Sequence, residues 1–251
     1  MAFSSDTRTY DIDSQFMWGE TLLFAPQLWR GETARNVYLP KNIKSENSET
    51  FWYDFYSYES YTGGRDYRIP ADELTPIFIK SGTIFHKHRM SDETLTLDYH
   101  RRNNNMSLIV ALDSKGNVEN ESYYITDDGK SRVDNSGFSD DDQFFQTRMC
   151  FRENELEYWT GLRNYEKEVP DMSDFPGFID EVVVVGQFQL RDRKFSVRVG
   201  VFSSQFSLYD TTEYFYDVPF DFGENSVKVD LTGIQVNHYG SFKVYFDAEL
   251  E

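Results

Sequence analysis

The sequence contains a single cysteine, Cys150, in 251 residues. No disulfide can form within the chain, and a zinc site built from cysteines is excluded. No Cys-His signature surrounds Cys150, so the plain reading is a buried structural thiol. Positive charge is also scarce: 25 Lys and Arg stand against 43 Asp and Glu, giving a net charge of −18. Such a surface repels phosphate backbones and anionic leaflets, so neither nucleic acid nor a membrane surface is an expected partner. Long apolar runs are missing. The longest aliphatic stretch, Val182 to Val185, falls far short of the roughly 20 residues that span a bilayer. The start, Met1-Ala2-Phe3-Ser4-Ser5-Asp6, has neither the basic residues nor the apolar core of a signal peptide. No P-loop, dinucleotide glycine pattern, Ser-His-Asp order or fixed-period repeat occurs. No cofactor and no metal are expected.

Aromatic residues, by contrast, are abundant at 17%, with 22 Phe and 17 Tyr, and they favour pleated, half-buried strands. One short helix is expected over residues 11–19, with Ile12 and Phe16 at helical spacing, Asp11 as N-cap and Gly19 as terminator. Strand signals follow at Leu22-Leu23-Phe24, Val37-Tyr38-Leu39 and Phe51-Trp52-Tyr53-Asp54-Phe55. Ile77 to Lys80 and Thr83 to Phe85 flank Ser81-Gly82, which reads as a hairpin-like reversal. Met106 to Leu112 is an apolar strand. Residues 130–143 are polar and acidic and suggest a boundary between two modules. Beyond it, Val197, Val199, Val227, Val229, Phe242 and Val244 alternate with polar residues, the pattern of a sandwich sheet.

Several features are candidates for chemistry. Asp127-Asp128-Gly129 reads as a carboxylate pair or as a hairpin turn, and adjacent strand residues point to opposite faces. The acidic stretch from Asp134 to Asp142 lacks the calcium-loop order and reads as solvated. His86 and His88 share a strand face, but two ligands without a third do not make a metal site. Trp52, Tyr53 and Tyr56 lie in a run of seven aromatic residues between Phe51 and Tyr61. That run offers either a stacking platform for sugars or rings for a core. Asn105-Met106-Ser107 and Asn120-Glu121-Ser122 are N-glycosylation triplets, and their use would imply passage through a secretory pathway.

Several segments, taken in order, resemble one family, the retaining α-glucosidases of glycoside hydrolase family thirty-one. Tyr10-Asp11-Ile12-Asp13-Ser14-Gln15-Phe16-Met17-Trp18-Gly19 and Leu22-Leu23-Phe24-Ala25-Pro26 are similar to its "W-D-I-D-x-Q-F-L-W-G-x-x-L-L-I-x-P" stretch. Val37-Tyr38-Leu39-Pro40, Trp52-Tyr53-Asp54-Phe55, Leu108-Ile109-Val110-Ala111-Leu112-Asp113 and Asp127-Asp128-Gly129-Lys130-Ser131 follow in the family's order. The resemblance implies an all-β chain of two consecutive β-sandwiches, preceded by a short helical remnant of a (β/α)8 barrel. Residues 1–21 would be that remnant, 22–143 a proximal sandwich and 144–251 a distal one. Its implied partners are the catalytic barrel of the same polypeptide and an α-glucan or oligosaccharide, and its implied setting is the secretory pathway. A retaining glycosidase needs two carboxyl groups about 5 Å apart. The family's "W-x-D-M-N-E" nucleophile motif is absent, and the nearest string, Pro170-Asp171-Met172-Ser173-Asp174, lacks the Trp. No catalytic residue is therefore assigned. The expected function is a non-catalytic C-terminal region of an α-glucosidase that braces the barrel. The alternatives are a stand-alone carbohydrate-binding or interaction module derived from that family and an enzyme with a site of its own among the acidic loops.

Overall fold

A computed structural model of the chain describes residues 3–41, 49–70, 74–89, 96, 105–127, 144–163, 178–186, 195–202, 213–234, 236–237 and 241–248. The described elements are strands, apart from one 3-10 turn at Thr7–Thr9. In chain order the first seven are β1 (Phe16–Trp18), β2 (Leu22–Phe24), β3 (Ala34–Leu39), β4 (Phe51–Asp54), β5 (Ser60–Thr62), β6 (Arg65–Pro70) and β7 (Ile77–Lys80). Next come β8 (Thr83–His88), β9 (Met106–Ala111), β10 (Val118–Asp127), β11 (Phe144–Arg152), β12 (Glu155–Arg163) and β13 (Phe178–Val185). The last are β14 (Phe195–Phe202), β15 (Glu213–Asp217), β16 (Phe220–Phe222), β17 (Ser226–Asp230), β18 (Val236–Asn237) and β19 (Phe242–Ala248).

The first sandwich sets a sheet ordered β1-β2-β7-β4-β5 against the pair β3-β6. Leu23, Val37, Leu39, Trp52, Ile69 and Phe78 fill the space between them. The second packs β10-β11-β12-β19-β14-β15 against β16-β17-β13-β9-β8. Its core takes Leu108, Val110, Val182 and Val184 from one sheet and Phe151, Tyr158, Val199 and Phe242 from the other. The alternation of apolar and polar residues read beyond residue 195 is this inner and outer face.

The two aliphatic runs have a specific cause. β9 and β13 pair in parallel, Val182 beside Leu108 and Val184 beside Val110. Leu108, Val110, Ile179, Val182 and Val184 face the second core. Their other faces, Ile109, Ala111, Val183 and Val185, pack on Tyr53 of β4 and Ile79 of β7. Strands covered on both sides are apolar throughout rather than alternating. The joint between the sandwiches is therefore itself a hydrophobic layer.

Three expectations need correcting. Residues 11–19 form no helix. So short a segment is marginal as a helix without tertiary support, and here the local pattern is period two: Phe16 and Trp18 point outward while Met17 packs on the first core. Gln15 holds the segment extended, since its side chain donates to the Tyr38 carbonyl at 2.6 Å and accepts from the Tyr38 N–H at 3.0 Å. Gly19 does end the element, but as a turn residue at φ +63°. Second, Ser81-Gly82 is not a hairpin: β7 pairs with β2 and β4, whereas β8 pairs with β9. The chain changes sheets there, helped by Gly82 at φ +74°. Third, strand pairing does not follow the division expected at residue 143. β10 pairs with β11 and β9 with β13, so β8, β9 and β10 are shared with strands that lie far beyond that point.

Candidate functional site

The segment closest to the family pattern forms an exposed aromatic face. β1 and β2 make a hairpin in which Phe16 pairs with Phe24 and Trp18 with Leu22. The Phe16 and Phe24 rings stack at 5.5 Å with planes 8° apart, and Trp18 leans on Phe24 at 5.5 Å. The outer surfaces of Phe16 and Trp18 remain open, at 55% and 69% exposure. A depression of about 450 Å³ beside them is lined by Phe3, Tyr10, Ile12, Phe16 and Leu23 among others. These open rings form an exposed apolar patch.

A buried carboxylate fixes the base of this face. Asp6, 3% exposed, accepts from the Tyr38 hydroxyl at 2.6 Å and from the Lys41 N–H at 3.3 Å. It also caps the Thr7–Thr9 turn through the Arg8 N–H. Burial, reinforced by the hydrogen bond and charge of Asp6, pushes the Tyr38 phenol up to about 12. Arg8 lies 4.1 Å over the Tyr38 ring and reaches Asp66 at 2.6 Å. Among the described residues, no cluster of three His, Cys, Asp or Glu side chains could hold a metal ion. The face can bind another apolar surface.

The residues singled out from sequence are scattered. Trp52 is fully buried, and its Nε1 donates to the Pro40 carbonyl at 2.8 Å. Tyr53 is 2% exposed and donates to the Leu112 carbonyl at 2.7 Å. These two rings serve cores rather than a sugar platform. Tyr56 is exposed and donates to the Thr75 carbonyl at 3.2 Å. His86 and His88 do share the strand β8. The His86 Nε2 lies 3.0 Å from the Tyr158 hydroxyl, and its ring sits 4.1 Å from Tyr124, so it is a packed residue. Asn105 is half-buried and Asn120 exposed. Residues 128–143 and 170–174 lie outside the described residues. The Cys150 thiol is buried, and burial together with a hydrogen bond to Glu157 pushes it up to about 11. The roles of Asp6 and Gln15 were missed. Only the Gln within the aromatic stretch gave any signal for them, because both act through Tyr38, more than twenty residues away.

The sequence profile described as the Glycosyl hydrolase family 31 C-terminal domain matches residues 1–85, the stretch that holds this face. That match covers about a third of the chain. An α-xylosidase of Saccharolobus solfataricus is 35% identical over 86 residues, 34% of this chain and 11% of the relative. The neutral α-glucosidase AB of Homo sapiens is 26% identical over 188 residues, 73% of this chain and 17% of the relative. The chain therefore spans a small part of the curated family 31 relatives that it matches. A crystal structure of a glucosidase II α subunit superposes with a TM-score of 0.68 at 19% identity, over 96% of this chain and 24% of the other. That likeness extends the shared fold through both sandwiches.

Proposed function

We propose that this chain is a non-catalytic C-terminal region of a family 31 α-glucosidase, and that its sandwiches brace a catalytic barrel. The observation that carries the reading is the open aromatic face of Phe16, Trp18 and Phe24 within the family-matched residues. Burying rings of that size against a barrel stabilises the assembly by about 1.5–3 kcal/mol each. The substrate of the parent is a terminal α-linked glucose, and its setting is the secretory pathway. The α-glucosidase relatives support the first, and the exposed Asn120 of an N-glycosylation triplet supports the second. The buried positions of Trp52 and Tyr53 count against a stand-alone sugar-binding module.

The test is a chimera in which this chain replaces the matched region of the human neutral α-glucosidase AB. The chimera should hydrolyse an aryl α-glucoside, and Trp18→Ala should make that activity heat-labile. The 251-residue chain alone should give no turnover. Turnover by the isolated chain, or a chimera indifferent to Trp18, would overturn the proposal.

A further inference from the structure

The two Asn-x-Ser triplets have opposite fates in the fold. Asn105 leads into β9, and its Nδ2 lies 3.4 Å from Asp180 Oδ2. Asp180 is 5% exposed; Arg89 also reaches its Oδ2, at 3.3 Å, while Oδ1 has no hydrogen-bond partner among the described atoms. Ser107 is buried and donates to Glu181 at 3.0 Å. A sugar on the Asn105 nitrogen would have to enter this packed corner and would crowd a carboxylate already short of donors.

Asn120 is exposed on β10, the edge strand of its sheet, inside the register break between Val118 and Ser122. It stands at a cleft of about 400 Å³ where the two sandwiches meet. Glu20, Thr21 and Lys80 form the wall from the first sandwich, and Tyr124 and His86 line the side from the second. Rings and charged side chains converging on one cleft suit a sugar, which offers an apolar face and hydroxyls together.

We propose that Asn120, and not Asn105, carries an N-linked oligosaccharide in the folded protein, with its first N-acetylhexosamine seated in this cleft. The proposal rests on the secretory setting given above. The donor is an oligosaccharide linked to a lipid pyrophosphate. The Asn120 carboxamide nitrogen forms a bond to the anomeric carbon as the carbon–oxygen bond to pyrophosphate breaks. The pyrophosphate leaves with the electron pair, and the amide proton passes to the transferase. In the fold, Ser122 Oγ accepts from the Ile84 N–H at 3.1 Å and Ser107 Oγ is held by Glu181. Transfer therefore precedes closure of the sheets, and the fold then selects which modified chains survive.

The full chain, secreted from insect cells behind a cleavable leader, tests this by peptide mapping of the soluble fraction before and after enzymatic deglycosylation. The expected result is a glycan on the Asn120 peptide, an unmodified Asn105 peptide and loss of the mass shift in Asn120→Gln. Removing the glycan from the native protein should speed hydrogen exchange at Glu20–Thr21 and around Lys80. A glycan on Asn105 in soluble protein, or a bare Asn120, would overturn the assignment. A glycan on Asn120 whose removal leaves exchange unchanged would overturn the seating. A bare Asn120 would leave the barrel-bracing reading intact, because the chimera tests that reading separately.

Discussion

Replacing Gly186 with alanine tests the joint between the sandwiches at one atom. Gly186 follows β13 at φ +109°, a conformation L residues rarely adopt. A Cβ built there would lie 2.3 Å from the Tyr53 hydroxyl and 2.8 Å from its Cζ. Tyr53 cannot simply swing away, because it is 2% exposed between the sandwiches and bonded to Leu112. The backbone strain costs about 1–3 kcal/mol. Overpacking adds about 1–3 kcal/mol. We expect a loss of about 3 kcal/mol, which for a chain of this size lowers Tm by about 6–12 °C. Thermal unfolding followed by near-ultraviolet circular dichroism reads it. Tyr53→Phe alone should cost about 1–2 kcal/mol, since the buried Leu112 carbonyl loses its donor. The double variant should lose less than the sum of the singles, because part of the clash leaves with the hydroxyl. A Gly186→Ala protein within about 0.5 kcal/mol of the parent, or strict additivity, would refute the packing described for this joint.

Other consequences are open to direct measurement. The Cys150 thiol, held up near 11, stays protonated in the fold, so iodoacetamide at about pH 8 should label it only after denaturant is added; quick labelling of folded protein would contradict its burial. Asp6→Ala removes a buried acceptor and should cost about 2 kcal/mol. The same change should bring Tyr38 down from about 12 toward an ordinary phenol, read as tyrosinate absorbance on raising the pH; an unchanged titration would refute the Asp6 role. Glu157 is held below the usual carboxylate range chiefly by a hydrogen bond from Lys243, at 2.8 Å. Its contribution is therefore present above the ordinary carboxylate pKa and is lost as pH falls through the lowered value. Because the pair is partly exposed, Glu157→Gln should cost less than about 1 kcal/mol at neutrality and progressively less as the pH falls below the ordinary carboxylate range; a cost that grows in acid would show the sign to be wrong.

What sequence could reveal was local. The alternation at Val197, Val199, Phe242 and Val244 needs only a strand and one wet face, so the second sandwich was legible. The aliphatic runs at β9 and β13 were visible too, but their parallel pairing joins residues some seventy positions apart, and no local pattern encodes that. This is why a boundary at residue 143 looked natural from composition. Phe16-Met17-Trp18 fits a helix or a strand; Gln15 decides between them through Tyr38, a partner in another strand. The aromatic run at Phe51–Tyr61 shows the same limit. Composition identifies rings, but only the fold places Trp52 and Tyr53 inside and Tyr56 outside.

The most direct test of the bracing role is hydroxyl-radical footprinting of residues 16–24, in the isolated chain and in the chimera with a family 31 barrel. We predict that Phe16 and Trp18, open at 55% and 69% in the isolated chain, become strongly protected in the chimera. Tyr123 and Phe215, exposed on the second sandwich, should react equally in both. Equal oxidation of Phe16 and Trp18 in the two proteins would contradict the account, because the aromatic face would then have no barrel upon it.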